Sequence, residues 1–124
     1  MSIFYRKHEL YPESILIRDF ADKVSVENII NSWDTLLEQG MLTSNIKGVI
    51  NNISGCELAM DLDSFYTLID YIKSKDVLRS IKLAVVCNNP SMIVFPIMGE
   101  TEVKELHIKP FSTIEAAVDW IMNG

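Results

Sequence analysis

Apolar residues recur along this chain at two spacings. Val26, Ile29, Ile30, Trp33, Leu36 and Leu37 follow the 3.6-residue period of a helix. Ser25 is a suitable N-cap for it, and Gly40 a suitable residue just beyond its end. Leu62, Phe65, Leu68, Ile69 and Ile72 repeat the pattern, with Asp61 or Asp63 as the cap. Ile114, Ala117, Val118 and Ile121 give another helix, behind the capping-box sequence Ser112-Thr113-Ile114-Glu115 and the preceding Phe111. Shorter segments alternate or run continuously apolar, as strands do: Ser2–His8, Ser14–Phe20, Lys47–Ile53, Ile81–Cys87 and Val103–Ile108. Tyr11-Pro12-Glu13-Ser14 is a turn that folds the first two strands into a hairpin, while Ala21–Val24 reads as a connection. Ile15 and Ile17 fall on one strand face and Leu16 on the other.

The segment Met92–Met98 is the longest apolar run. Asn88-Asn89-Pro90 offers it an Asn cap with Pro at the first helical position, and Pro96 and Gly99 keep the helix short. The order is therefore β-β-α-β-α-β-α-β-α. It predicts one α/β domain over residues 1–124, with a mixed, mostly parallel sheet of about five strands, an N-terminal antiparallel hairpin and four helices.

Composition narrows the functional classes. A formal net charge of −6 without a Lys/Arg cluster disfavours nucleic acid and anionic lipid surfaces. The opening MSIFYRKHEL lacks the apolar core of a secretory signal, and no run is long enough for stable membrane insertion, so a cytoplasmic location is expected. Cys56 and Cys87 form no CxxC pair and read as reduced, buried residues; a redox pair at the strand ends is the alternative. His8 and His107 have no helical partner at metal-ligand spacing, so no metal and no cofactor are expected.

In such sheets ligands sit outside the carboxyl ends of the strands. Three loops should gather there: Asn51–Asp63, Asn88–Ser91 and Pro110–Thr113. They would carry Asn51, Asn52, Ser54, Asp61, Asn88 and Asn89, with Met92 nearby. Asn, Ser and Asp are also the residues of turns and caps, because their side chains bond local backbone groups. An enzyme using Asp61 or Cys56 would need a His, Lys or Arg on an adjacent loop, and none is evident. The sequence contains no G-x-S-x-G, phosphate-binding loop or G-x-G-x-x-G motif.

Asn52-Ile53-Ser54-Gly55, the stretch Met60-Asp61-Leu62-Asp63-Ser64 and the ending Pro110–Ile121 carry a resemblance. Together with the order of elements, they resemble the SpoIIAA-like group within the STAS-type anti-sigma-factor antagonist fold. In that family an N/D-x-S-G turn follows the central strand, an Asp-Ser-Ser-Gly motif precedes a helix, and the chain closes on F-x-x-x-E-E-A-x-x-W-L. The resemblance implies a non-enzymatic regulatory or protein-interaction module. Its partner surface or switch would comprise Ser54, Asp61, Asp63, Ser64 and Phe65, facing an unidentified protein partner. Where phospho-regulated members carry an acceptor serine this chain has Asp63, and an alignment shifted by one residue would make the adjacent Ser64 the acceptor. The carboxylate either imitates the modified state or caps the helix.

Two further readings are carried forward. The family's outline similarity to the lipid-binding Sec14/CRAL-TRIO fold raises a carrier or sensor of a small apolar, lipid-like ligand. Its pocket would lie under Met92–Met98, with Asn52, Asn88, Asn89 and Met92 as strand-edge contacts; the simpler reading of that segment is a short helix packed on the sheet. A second copy of the chain is the other candidate partner, through Ile3, Phe4 and Tyr5 of the hairpin.

Overall fold

The computed structural model describes residues 3–89 and 92–124. The elements run β1 (Ile3–Lys7), β2 (Ile15–Ser25), α1 (Val26–Glu38), β3 (Gly48–Ala59), α2 (Leu62–Lys73), α3 (Asp76–Ser80), β4 (Lys82–Val86), α4 (Val94–Glu102), β5 (His107–Phe111) and α5 (Ile114–Asn123). The five strands form one sheet in the order β1-β2-β3-β4-β5. β1 is antiparallel to β2, and the other pairings are parallel. The expected mixed sheet with its N-terminal hairpin is present. Among the described residues the helices number five rather than four, because the one-turn α3 occupies what reads in the sequence as a polar break.

Strand alternation sorts the core into two layers. Leu16, Phe20, Val49, Ile53 and Leu83 face Ile29, Trp33 and Leu36 of α1, together with Phe65, Ile69 and Ile72 of α2. Ile15, Ile17, Ile50, Ala84 and Val86 face Ala117 and Ile121 of α5. Both faces are covered, which is why β4 is apolar at nearly every position. Ser25 caps α1 in a reciprocal box with Asn28, and Gly40 follows the helix at φ +66. Asp34 and Tyr71, joined through the tyrosine hydroxyl, link α1 to α2.

Several boundaries differ from the sequence expectation, and the largest difference has one cause. β2 continues through Ala21–Val24, and β3 continues six residues past Ile53 to Ala59. The two pair along this length as a ribbon that outruns β4, which pairs only with Gly48–Asn52. Between Asp19↔Asn52 and Ala21↔Gly55 the register gains one residue on β3, a β-bulge. The inward positions of β3 therefore change from Val49, Asn51 and Ile53 to Cys56 and Leu58. This break in alternation mimics a turn in the sequence, so Asn52–Gly55 is bulged strand rather than loop.

Elsewhere, Gly99 lies inside α4, buried against Ile108, and does not end the helix. β5 begins at His107, while Val103 and Leu106 are core residues of the preceding connection. α5 is capped by Thr113, whose hydroxyl accepts from the Ala116 N–H, one position later than the Ser112 box predicts. α4 starts at Val94 without a side-chain cap. The expected Pro90 start, like Ser91 and Ser2, lies outside the described residues.

Candidate functional site

The turn between β3 and α2 is built by Asp61. Its carboxylate accepts from the Ser64 N–H at 2.8 Å, and the Ser64 hydroxyl accepts from the Asp61 N–H at 2.9 Å. Asp61, not Asp63, is thus the N-cap, and Ser64 is the third helical residue of a closed capping box. The Ser64 bonds hold the Asp61 carboxyl below its ordinary value of 3.8. A carboxyl lowered on folding adds stability above that ordinary value, and this is lost as pH falls below it. Asp61→Ala is expected to lower the melting temperature, and Asp61→Asn to lower it less, because it keeps an acceptor oxygen. Circular dichroism melts at neutral pH check this.

Around that cap the surface is apolar and acidic. Leu62 and Tyr66, one turn apart, are 50% and 45% exposed, and Asp63 is exposed between them. The expected stripe of α2 thus holds for Phe65, Ile69 and Ile72, with Leu68 half-buried, but not for Leu62. Phe65 points inward and stacks on Phe95 of α4 at 5.2 Å, so among the partner-surface candidates it supports the helix from beneath.

The second concentration of chemistry is internal. Arg18 shares the inward face of β2 with Leu16 and Phe20 and is only 2% exposed. Its Nε donates to Asn51 Oδ1 at 2.8 Å and its Nη1 to Ser32 Oγ at 3.0 Å. Asn51 passes the chain on to the Ala84 carbonyl, and the hydroxyls of Ser32 and Tyr5 share a bond of 2.7 Å. The guanidinium lies 3.7 Å above the Trp33 ring. Among the described residues no carboxylate pairs with it. Burial pushes its pKa down to about 9. Arg18 remains charged at neutral pH, and the cost of burying that charge is fully present below pH 9.

Arg18 and Asn51 are the polar members of a cavity of about 90 Å³ whose other walls include Ile53, Phe65, Ile69, Leu83 and Phe95. Leu58, Met60 and Phe95 separate it from an outer groove lined by Cys56, Glu57, Asn89 and Met92. Of the segment Met92–Met98, Phe95 and Pro96 line the cavity wall. Arg18 carries no motif, yet its signal is present in the sequence. A strand reading ILIRDF places the arginine on the same face as Leu16 and Phe20.

The remaining candidates scatter. Asn52 donates to Asp19 and accepts from the Ser54 N–H, so it is engaged within the sheet and lines neither cavity. Ser54 is exposed on the bulge, its hydroxyl donating to the Val86 carbonyl. Asn88 is exposed, and Asn89 and Met92 line the outer groove. Ile3 is buried and Tyr5 is bonded to Ser32, so of these three Phe4 is the one presented to solvent, with Leu10 and Tyr11 of the hairpin turn also exposed. Burial raises the thiol pKa of Cys56 to about 11 and also raises that of Cys87, so neither has the lowered pKa of a reactive cysteine. Among the described residues no three His, Cys, Asp or Glu cluster as a metal site would require, and no helix is long and apolar enough to cross a membrane.

No family model and no curated protein matches the chain. Solved structures do. The chain is similar to the anti-sigma factor antagonist SpoIIAA in its unphosphorylated form, with a TM-score of 0.60 at 15% identity over 99% of this chain and 100% of that one. It is similar to an uncharacterized protein with a SpoIIAA-like fold from Shewanella loihica, with a TM-score of 0.62 at 15% identity over 97% of this chain and 92% of that one. It is also similar to the phosphorylated form of the Bacillus cell fate determinant SpoIIAA, at 0.51 and 14% over 95% and 99%. The fold is SpoIIAA-like.

Proposed function

We propose that this chain is a non-enzymatic regulatory module that binds a protein partner through the start of α2, as the antagonist fold implies. The observation that carries the reading is the pair Leu62 and Tyr66, held exposed beside Asp63 by the Asp61–Ser64 box. Large apolar side chains at a rigid helix start are what a partner buries, and aromatic anchors dominate such interfaces. The similarity to an anti-sigma-factor antagonist supports a partner of the regulatory-protein class. The net charge of −6 supports a protein rather than a nucleic acid in that role.

In this reading the negative charge at the helix start is permanent. Ser64 already donates to the Asp61 carbonyl at 3.2 Å and accepts from the Asp61 N–H, so a phosphoryl group there would open the cap. It would also meet the carboxylates of Asp61 and Asp63. Asp63, exposed in the first turn, supplies a fixed charge instead.

Affinity purification from the native cells tests this, with Tyr66→Ala, Asp63→Lys and Phe4→Ala beside the wild type. A stoichiometric partner should survive Phe4→Ala, weaken roughly tenfold or more with Tyr66→Ala, and weaken with Asp63→Lys. A partner retained equally by all four proteins, or no specific partner, overturns the reading.

A further inference from the structure

We propose that the cavity beside Arg18 binds a small organic anion: a monocarboxylate carrying a short aliphatic group. Three observations independent of the α2 surface lead there. First, the cavity has one full charge in its wall and nothing described in the protein neutralises it. A buried charge is normally paired, because the interior replaces little of its lost hydration. Asn51 and Ser32 supply neutral oxygens to Nε and Nη1, and Nη2 donates to no protein group among the described residues. A guanidinium offers five N–H groups in a planar fork, the geometry that receives a carboxylate.

Second, apart from Arg18 and Asn51 the walls are apolar. An inorganic anion would leave the walls around Phe65, Ile69 and Leu83 unmatched. A wholly apolar ligand would leave the charge unmatched. A dianion would bring a second negative charge for which the cavity offers no second cation. The complementary molecule has one negative head and one apolar body.

Third, the size is limited. About 90 Å³ gives room for roughly three waters at about 30 Å³ each. This suits an acid of two or three carbons and is too small for a complete lipid. A longer body would have to pass Leu58, Met60 and Phe95 into the outer groove.

The probe is propanoate, with propan-1-ol as its uncharged counterpart, titrated into the full chain while the isoleucine and leucine methyl signals are followed by NMR. Saturable shifts are expected at Ile53, Ile69 and Leu83 with propanoate. The alcohol should bind at least about tenfold more weakly. Arg18→Met should erase the preference for the acid, and Arg18→Lys should retain part of it. Because the acid–alcohol comparison is made first on the wild-type protein, it stands whether or not a variant folds. Absence of saturable shifts at these methyls, shifts confined to other regions, or equal binding of acid and alcohol overturns the proposal. Arg18 would then be a core cation held by Trp33, Asn51 and Ser32 alone.

Discussion

Trp33→Ala is expected to remove about 3–5 kcal/mol of folding free energy. The side chain is 1% exposed in the layer between β2 and α1, among Ile29, Leu36 and the strand residues opposite. Truncation leaves a void that rigid neighbours fill only in part. It also strips the ring from beneath a guanidinium 3.7 Å away, and a desolvated contact of that kind contributes about 2 kcal/mol. Set against a typical domain stability of about 5–15 kcal/mol, the loss threatens folding itself. Trp33→Phe should cost less than half as much. It keeps an aromatic face under Arg18 and deletes Nε1, a buried donor with no partner. Urea unfolding followed by circular dichroism measures both variants. An unchanged midpoint for Trp33→Ala would mean that the ring does not hold this core together.

The second large effect is expected at Gly48, where α5 crosses the start of β3. A Cβ there would lie 2.8–2.9 Å from three side-chain atoms of Ile121. Ile is β-branched and has little rotamer freedom in a helix, so the Ile121 side chain cannot easily turn aside and the α5–β3 contact must give to admit one methyl group. Gly48→Ala is expected to cost about 1–3 kcal/mol, even though alanine normally favours a strand interior over glycine. The mechanism has its own control. In an Ile121→Ala background, Gly48→Ala should be close to neutral, because the clash is gone and the pair is no longer additive. Additive losses in the double variant would place the strain somewhere other than this contact.

Much of the architecture is legible in the residues, because the signals that form it are local. Ser25, Gly40 and the 3.6-residue stripe define α1 without reference to the rest of the chain. The continuous apolar run of β4 marks a strand covered on both sides. What is not legible depends on partners distant in sequence. Ser54–Ala59 is polar enough to read as loop and becomes strand because Ala21–Ser25 pairs with it beyond the bulge. Strand alternation turns Arg18 inward, but what receives it is not legible, because Asn51, Ser32 and Trp33 close over it from two other elements. At the start of α2 the sequence indicates a cap but leaves Asp61 and Asp63 as equals. Only the backbone geometry gives Asp61 the bond to Ser64 and leaves Asp63 facing outward.

The strand order has a consequence for how the chain is made. Every strand lies beside its neighbour in sequence, so a growing polypeptide can add each strand to an existing edge without waiting for a distant segment. The helices α1 and α2 that cover one face are translated between the strands they connect. The other face, with Ile15, Ile17, Ile50, Ala84 and Val86, is covered by α5, which is synthesised after all five strands. For that interval the nascent sheet carries an open apolar surface. This is the stage at which a chaperone would bind.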